Sequence, residues 1–145
     1  MPSCVEGRGV LNETTIDGIT VAGQPTDSEL AALRERGFAT VISNRPSDEL
    51  DEPEAPKIPA GVRYVEVPFT RATLADAHVR AVEEALESSD GPVLVHCAGG
   101  TRAAIVVAAA LAKRRGLDAE RALAMVREAG FEPGAYEGFV RRYLA

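Results

Sequence analysis

The sequence predicts an α/β fold, a mainly parallel central sheet flanked by helices. Three observations predict it. Short apolar runs alternate with segments of helical period along the whole chain, the pattern of strands joined by crossover helices. "PVLVHC" (92–97) is almost continuously apolar, the mark of a strand covered on both faces. Residues 102–115 are apolar nearly all round, so their helix is central and buried. The 145 residues suit one compact domain, 1–145, able to bury a core without disulfides or metals.

The elements follow in order. Residues 1–14, with Cys4, read as a loosely ordered N-terminal tail. "GITVAGQPT" (18–26) is a strand running into a turn. Thr26 and Glu29 form a capping box for a helix over 27–36, stopped by Gly37. "FATVISN" (38–44) is an apolar strand, and the acidic, proline-rich stretch 47–61 an exposed loop. "VRYVEVPF" (62–69) is a further strand. Leu74, Val79, Val82 and Leu86 give residues 72–88 a helical period. After the strand at 92–97 and the helix at 102–115, Asp118 caps a helix over 118–129 that Gly130 stops. A short helix over 134–143 ends the chain. Ligands of such sheets bind beyond the carboxyl ends of the strands. Three of these ends carry reactive groups: Asn44-Arg45, Phe69-Thr70-Arg71 and His96-Cys97.

Composition excludes several functions. A net charge of −6 argues against nucleic acid or an anionic membrane as partner. Aromatic residues are few and tryptophan is absent, so base-stacking platforms are not expected either. No charged-then-apolar leader opens the sequence and no apolar run nears about 18 residues. The expectation is a cytoplasmic protein with reduced thiols. Two cysteines are too few for a disulfide framework. Together with His78 and His96 they make no zinc pattern, so no metal or other cofactor is expected.

The chemistry concentrates in "HCAGGTR", 96–102. A cysteine at a strand end, just before a helix, meets unpaired backbone N–H groups and the positive end of the helix dipole. That setting favours the thiolate, the nucleophilic form. Gly99 and Gly100 let the loop curl so that its amides form an anion nest. Arg102 adds a planar guanidinium able to grip two oxygens of one oxyanion. The whole suits attack on a tetrahedral oxyanion centre. Arg45 and Arg71, at neighbouring strand ends, would make the approach electropositive. His78, at the edge of an apolar stripe, reads as half-buried packing.

"HCAGGTR" resembles the signature of the cysteine-dependent tyrosine and dual-specificity phosphatases. With "VAGQPT", "VISNRP", "YVEVP" and "PVLVHCAGGTR" in that order, residues 15–130 resemble a bacterial phosphatase-like domain found beside or fused to beta-lactamase-like hydrolases. The resemblance implies a phosphatase-like fold with the nucleophile loop between a central strand and a buried helix. It implies Cys97 as nucleophile and the amides of Ala98, Gly99, Gly100, Thr101 and Arg102 as the oxyanion cradle. Arg102 would clamp the substrate, and His96 would orient the loop.

Three departures bear on function. Four residues separate cysteine from arginine instead of the five of tyrosine phosphatases, a spacing that resembles rhodanese-type sulfurtransferases. Alanine follows Arg102 where phosphatases carry a hydroxyl residue, and Thr101 is the substitute. Arg71 stands where dual-specificity enzymes place their general acid, leaving Asp76, Asp48 or Glu49 for that role. The leading expectation is a phosphate monoester hydrolase working through a phosphocysteine, with Asp76 as acid and a phosphorylated small molecule or protein as substrate. The alternatives are a sulfurtransferase fed by a sulfane-sulfur donor, and an inactive domain that binds anionic or phosphorylated partners.

Overall fold

A computed structural model describes residues 9–145. Its five-stranded sheet runs in the order β1 (Thr14–Ile16), β2 (Ile19–Ala22), β5 (Val93–His96), β3 (Thr40–Ser43), β4 (Arg63–Glu66). The last four are mutually parallel, and β1 pairs antiparallel with β2. The mainly parallel sheet expected from the sequence is therefore present, with β5 at its centre. All four residues of β5 are buried, as its apolar run demands.

The sheet divides two cores. On one face Val21, Ile42, Val93 and Val95 pack with the helices α2 (Asp76–Ser88), α3 (Thr101–Arg115), α4 (Ala119–Glu128) and α5 (Glu137–Tyr143). On the other, Ala22, Val41 and Leu94 meet Leu30 of α1 (Asp27–Ala31), Leu33, Phe38 and Val62. Alternate residues of each strand serve opposite cores, which fixes the register. The body of α3 lies inside: Ala103 through Ala112 are all buried, and Gly116 (φ +69°) ends the helix.

Four local features depart from the sequence reading. β1 was not expected: Asp17 (φ +52°) and Gly18 (φ +85°) form the tight turn of a β1–β2 hairpin, and Asp-Gly is the sequence signal for it. The first eight residues of the expected tail, with Cys4, lie outside the described residues. From Gly9 onward the chain is anchored: Val10 is buried, and Glu13 pairs with Arg36 at 2.6 Å. α1 has its capping box at Thr26 and Glu29 but ends at Ala31, with turns from there to Gly37. α2 begins at Asp76, because the Thr70 and Thr73 hydroxyls hold residues 70–73 in a turn. His78 then accepts the Ala75 N–H on Nδ1 at 3.0 Å and packs its ring against Phe69. Its half-buried packing role is met.

Candidate active site

β5 ends between its two parallel neighbours, with His96 opposite both Ala22 and Ser43. The chain leaves this switch point as a loop, Cys97–Gly100, that enters α3 at Thr101. Its carbonyls are tied from outside. Gln24 N–H donates to the Ala98 carbonyl at 3.0 Å, and the Asn12 side-chain amide donates to that of Gly99 at 2.9 Å. In a trans peptide the N–H points opposite to its carbonyl, so the Gly99 and Gly100 amides turn the other way. The Gly100 N–H accordingly reaches Cys97 Sγ at 3.0 Å. The next three amides, in the first turn of α3, have no intrahelical acceptor and stand at the positive end of its dipole. Cys97 itself is only 1% exposed.

The two loop glycines are not equivalent. Gly100 has φ +107°, and a Cβ there would lie 2.6 Å from the Phe131 ring. Gly99 is exposed, and a Cβ on it would touch nothing. A third glycine matters more. A Cβ on Gly23 would stand 2.8 Å from the Ala98 carbonyl oxygen, backbone against backbone. Gly23→Ala is expected to cost about 1–3 kcal/mol in urea unfolding and to weaken phosphate binding by displacing the loop. Unchanged stability and binding would mean that the loop tolerates the displacement.

Arg102 is held by three contacts. Its Nη1 donates to Glu49 Oε2 at 3.1 Å and to the Phe69 carbonyl at 3.0 Å, and its Nη2 donates to Glu49 Oε1 at 2.9 Å. The Arg102 bonds hold the Glu49 carboxyl below its ordinary range against the opposing effect of burial, and Arg45 adds to this. Arg45 donates through Nε to Glu49 Oε1 at 3.1 Å, through Nη2 to the Glu49 carbonyl at 2.9 Å and through Nη1 to Gln24 Oε1 at 3.2 Å.

Beneath them Gln24 Nε2 donates to Glu54 Oε2 at 2.7 Å. Glu54 Oε1 lies 2.9 Å from His96 Nε2, and His96 Nδ1 lies 3.3 Å from the Cys97 carbonyl. His96 and Glu54 are 0% and 3% exposed, so the stretch read as an exposed loop plunges one carboxylate into the interior. Burial pushes the Glu54 carboxyl up, but the His96 contact and charge, with Gln24 and Tyr64, outweigh it and leave the group lowered.

The expected residues divide accordingly. Cys97, Arg102, His96 and the backbone of Ala98, Gly99, Gly100 and Thr101 form one site. The bond to sulfur comes from the Gly100 amide; none is recorded from the Thr101 hydroxyl among the described residues. Arg45 adjoins Arg102 through Glu49, with three of its five donors on Glu49 and Gln24. Arg71 sits exposed in the turn after Phe69, where its charge reaches Tyr136. Asp76 is not brought to the loop: it lines a separate groove with Leu74, Arg80, Phe139 and Arg142, and its charge is felt by Tyr143.

Asn12, Gln24, Glu54 and Tyr136 were not singled out from the sequence. Burial raises Tyr136, and the charges of Arg102, Cys97, Arg71 and Glu49 all act on it. Only Gln24, inside "VAGQPT", stood in a quoted motif. Among the described residues no cluster of three His, Cys, Asp or Glu could hold a metal ion. No described helix is long and apolar enough to cross a membrane.

The chain is similar in sequence and fold to known proteins. A relative in Agrobacterium fabrum, a beta-lactamase hydrolase-like protein, is 36% identical over 93 residues, 59% of this chain. The chain spans 21% of that relative's length. TpbA of P. aeruginosa superimposes with a TM-score of 0.70 at 25% identity, over 92% of this chain and 83% of its own. Tk-PTP in its active form gives 0.69 at 26% identity, over 92% and 95%. The fold is thus that of tyrosine-phosphatase-like proteins. The family model described as "Beta-lactamase hydrolase-like protein, phosphatase-like domain" matches residues 12–114, from the asparagine that holds the Cys97–Gly100 loop to the last turn of the buried helix, and the chain belongs to that family.

Proposed function

We propose that this phosphatase-like domain hydrolyses phosphate monoesters through a phosphocysteine on Cys97. The observation that carries this reading is the Gly100 N–H on Cys97 Sγ at 3.0 Å, at the mouth of a helix whose first amides lack acceptors. Both features stabilise a thiolate and an adjacent oxyanion. The thiolate attacks phosphorus, a P–S bond forms, and the P–O bond to the leaving group breaks. Water then attacks phosphorus, the P–S bond breaks, and phosphate and the thiolate are released. The cradle amides and Arg102 hold the equatorial oxygens in both steps.

A phosphorylated small molecule or protein is the substrate class. A cysteine-to-serine variant of TpbA is described in complex with phosphotyrosine, which makes aryl phosphates the first to try. Asp76 stands apart from the loop, and Glu49 is held ionised by its arginines, so neither is placed to protonate a leaving group in this conformation. Aryl phosphates with good leaving groups should therefore turn over much faster than alkyl phosphates.

The direct test is the intact mass of rapidly denatured protein after brief exposure to an aryl phosphate, and separately to thiosulfate. A phosphoryl adduct on Cys97 is expected. A sulfane-sulfur adduct alone would overturn the reading in favour of sulfur transfer. No adduct, with phosphate still bound, would leave a binding domain. Arg102→Lys should weaken phosphate binding about tenfold or more in calorimetric titration, because an ammonium cannot grip two oxygens at once. Equal binding would remove Arg102 from the site.

A further inference from the structure

The N–H that reaches Cys97 Sγ at 3.0 Å belongs to the peptide joining Gly99 to Gly100. Glycine on both sides leaves this plane little constrained by side chains. A Cβ on Gly99 would touch nothing, and Gly100 stands at φ +107°, a region closed to most residues. Turned over, the same peptide would present its carbonyl oxygen to the sulfur, where it repels a thiolate, and its N–H to the outside. A side chain from outside the loop opposes that turn: Asn12 Nδ2 donates to the Gly99 carbonyl at 2.9 Å. Carbonyl and N–H of one plane point opposite ways, so a grip on the first aims the second.

Asn12 is itself held. Its backbone is left-handed, φ +55°, a conformation that asparagine adopts more readily than most residues. Gly23 N–H donates to the Leu11 carbonyl at 2.8 Å, Glu13 N–H to the Val10 carbonyl at 2.9 Å, and Val10 N–H to Glu13 Oε1 at 2.8 Å. Buried Val10 and the Glu13–Arg36 ion pair fix the turn on either side of it. An amide so placed has little freedom left to lose in gripping the loop. We infer that Asn12 is a positioning residue: by holding the Gly99 carbonyl outward, it keeps the Gly100 N–H on Cys97 Sγ and sustains the thiolate. It meets the peptide on the side opposite the sulfur, so it acts through the Gly100 amide and not on substrate. The turn before the edge strand β1 is thereby part of the site.

This inference rests on reading Cys97 as the nucleophile, and the experiment separates the two. The thiolate is followed by its ultraviolet absorbance across pH, in the whole chain with Cys4→Ser throughout, so that Cys97 is the one thiol. The same chain carrying Cys97→Ser supplies the baseline. Asn12→Gly removes the amide and keeps the left-handed turn unstrained. On the acid side of the titration its thiolate fraction should be about threefold to tenfold lower, the worth of one hydrogen bond. Asn12→Asp keeps the shape but sets an acceptor against the Gly99 carbonyl, and should lower the fraction further. Arg102 and Tyr136, whose charges bear on Cys97, and His96 beside its carbonyl are the same in every chain. Thermal unfolding reports the turn separately. A thiolate fraction unchanged in Asn12→Gly, whether or not the melting temperature falls, would make Asn12 a structural tie only and overturns the proposal. Should Asn12→Gly unfold, Asn12→Asp decides by the same criterion. If the chain that keeps Asn12 shows no thiolate below the range of an ordinary free thiol, the nucleophile reading itself fails, and the role of Asn12 with it.

Discussion

Cys97→Ser should lower aryl phosphate turnover by at least about a thousandfold, with no covalent adduct on brief exposure to substrate. A serine hydroxyl has no comparable ionised form at neutral pH, and the stationed amides stabilise a charge that it does not carry. The fold should persist. The hydroxyl oxygen can accept the Gly100 N–H that Cys97 Sγ now accepts, and the cost should stay near about 1 kcal/mol in urea unfolding. Phosphate binding should persist as well, since the amides and Arg102 are untouched. Turnover equal to that of the natural chain would reject Cys97 as nucleophile. Turnover and binding lost together, with an unfolded far-ultraviolet spectrum, would mark Cys97 as a structural residue.

Glu54→Ala carries the largest expected effect on stability. It leaves the fully buried His96 without its carboxylate partner and Gln24 Nε2 with only the Pro25 carbonyl of its two acceptors. Breaking a buried pair by removing one partner costs about 3–5 kcal/mol. Glu54→Gln keeps the shape and one acceptor oxygen and should cost less. The pH dependence has a definite sign. Glu54 is lowered in the folded state below its ordinary 4.5, so its contribution is complete above that pH. It is lost as pH falls through the folded-state value. Urea unfolding at pH 7 and at pH 3 should therefore differ less in Glu54→Gln than in the natural chain. Identical acid sensitivity would mean that other carboxylates carry the acid limb.

The sequence by itself determined the parts whose signals are local. Apolar "VLVH" could only be a strand covered on both faces, and Ala103 to Ala112 only a buried helix, because burial of apolar area is written residue by residue. Cys97 before a helix start and Arg102 in its first turn placed the proposed nucleophile and clamp, since helix ends create the same field wherever they occur. Asp-Gly at 17–18 was equally local as a signal, and the β1 hairpin was legible there.

Only the tertiary structure decided which of many polar groups, side-chain or backbone, reach the loop and the His96 that precedes it. Asn12, Gln24 and Glu54 approach it across 87, 74 and 42 residues, through Gly99, Ala98 and His96, and no spacing rule spans such gaps. Arg45 and Glu49, four apart, read equally well as a surface pair; that they share a carboxylate with Arg102 depends on β3 lying beside β5. Asp76 had the right chemistry for an acid, but the Thr70–Thr73 turn starts α2 late and sets its carboxylate toward another groove. Side-chain chemistry is a property of the residue, whereas convergence on one loop is a property of the sheet order, and only the folded chain expresses it.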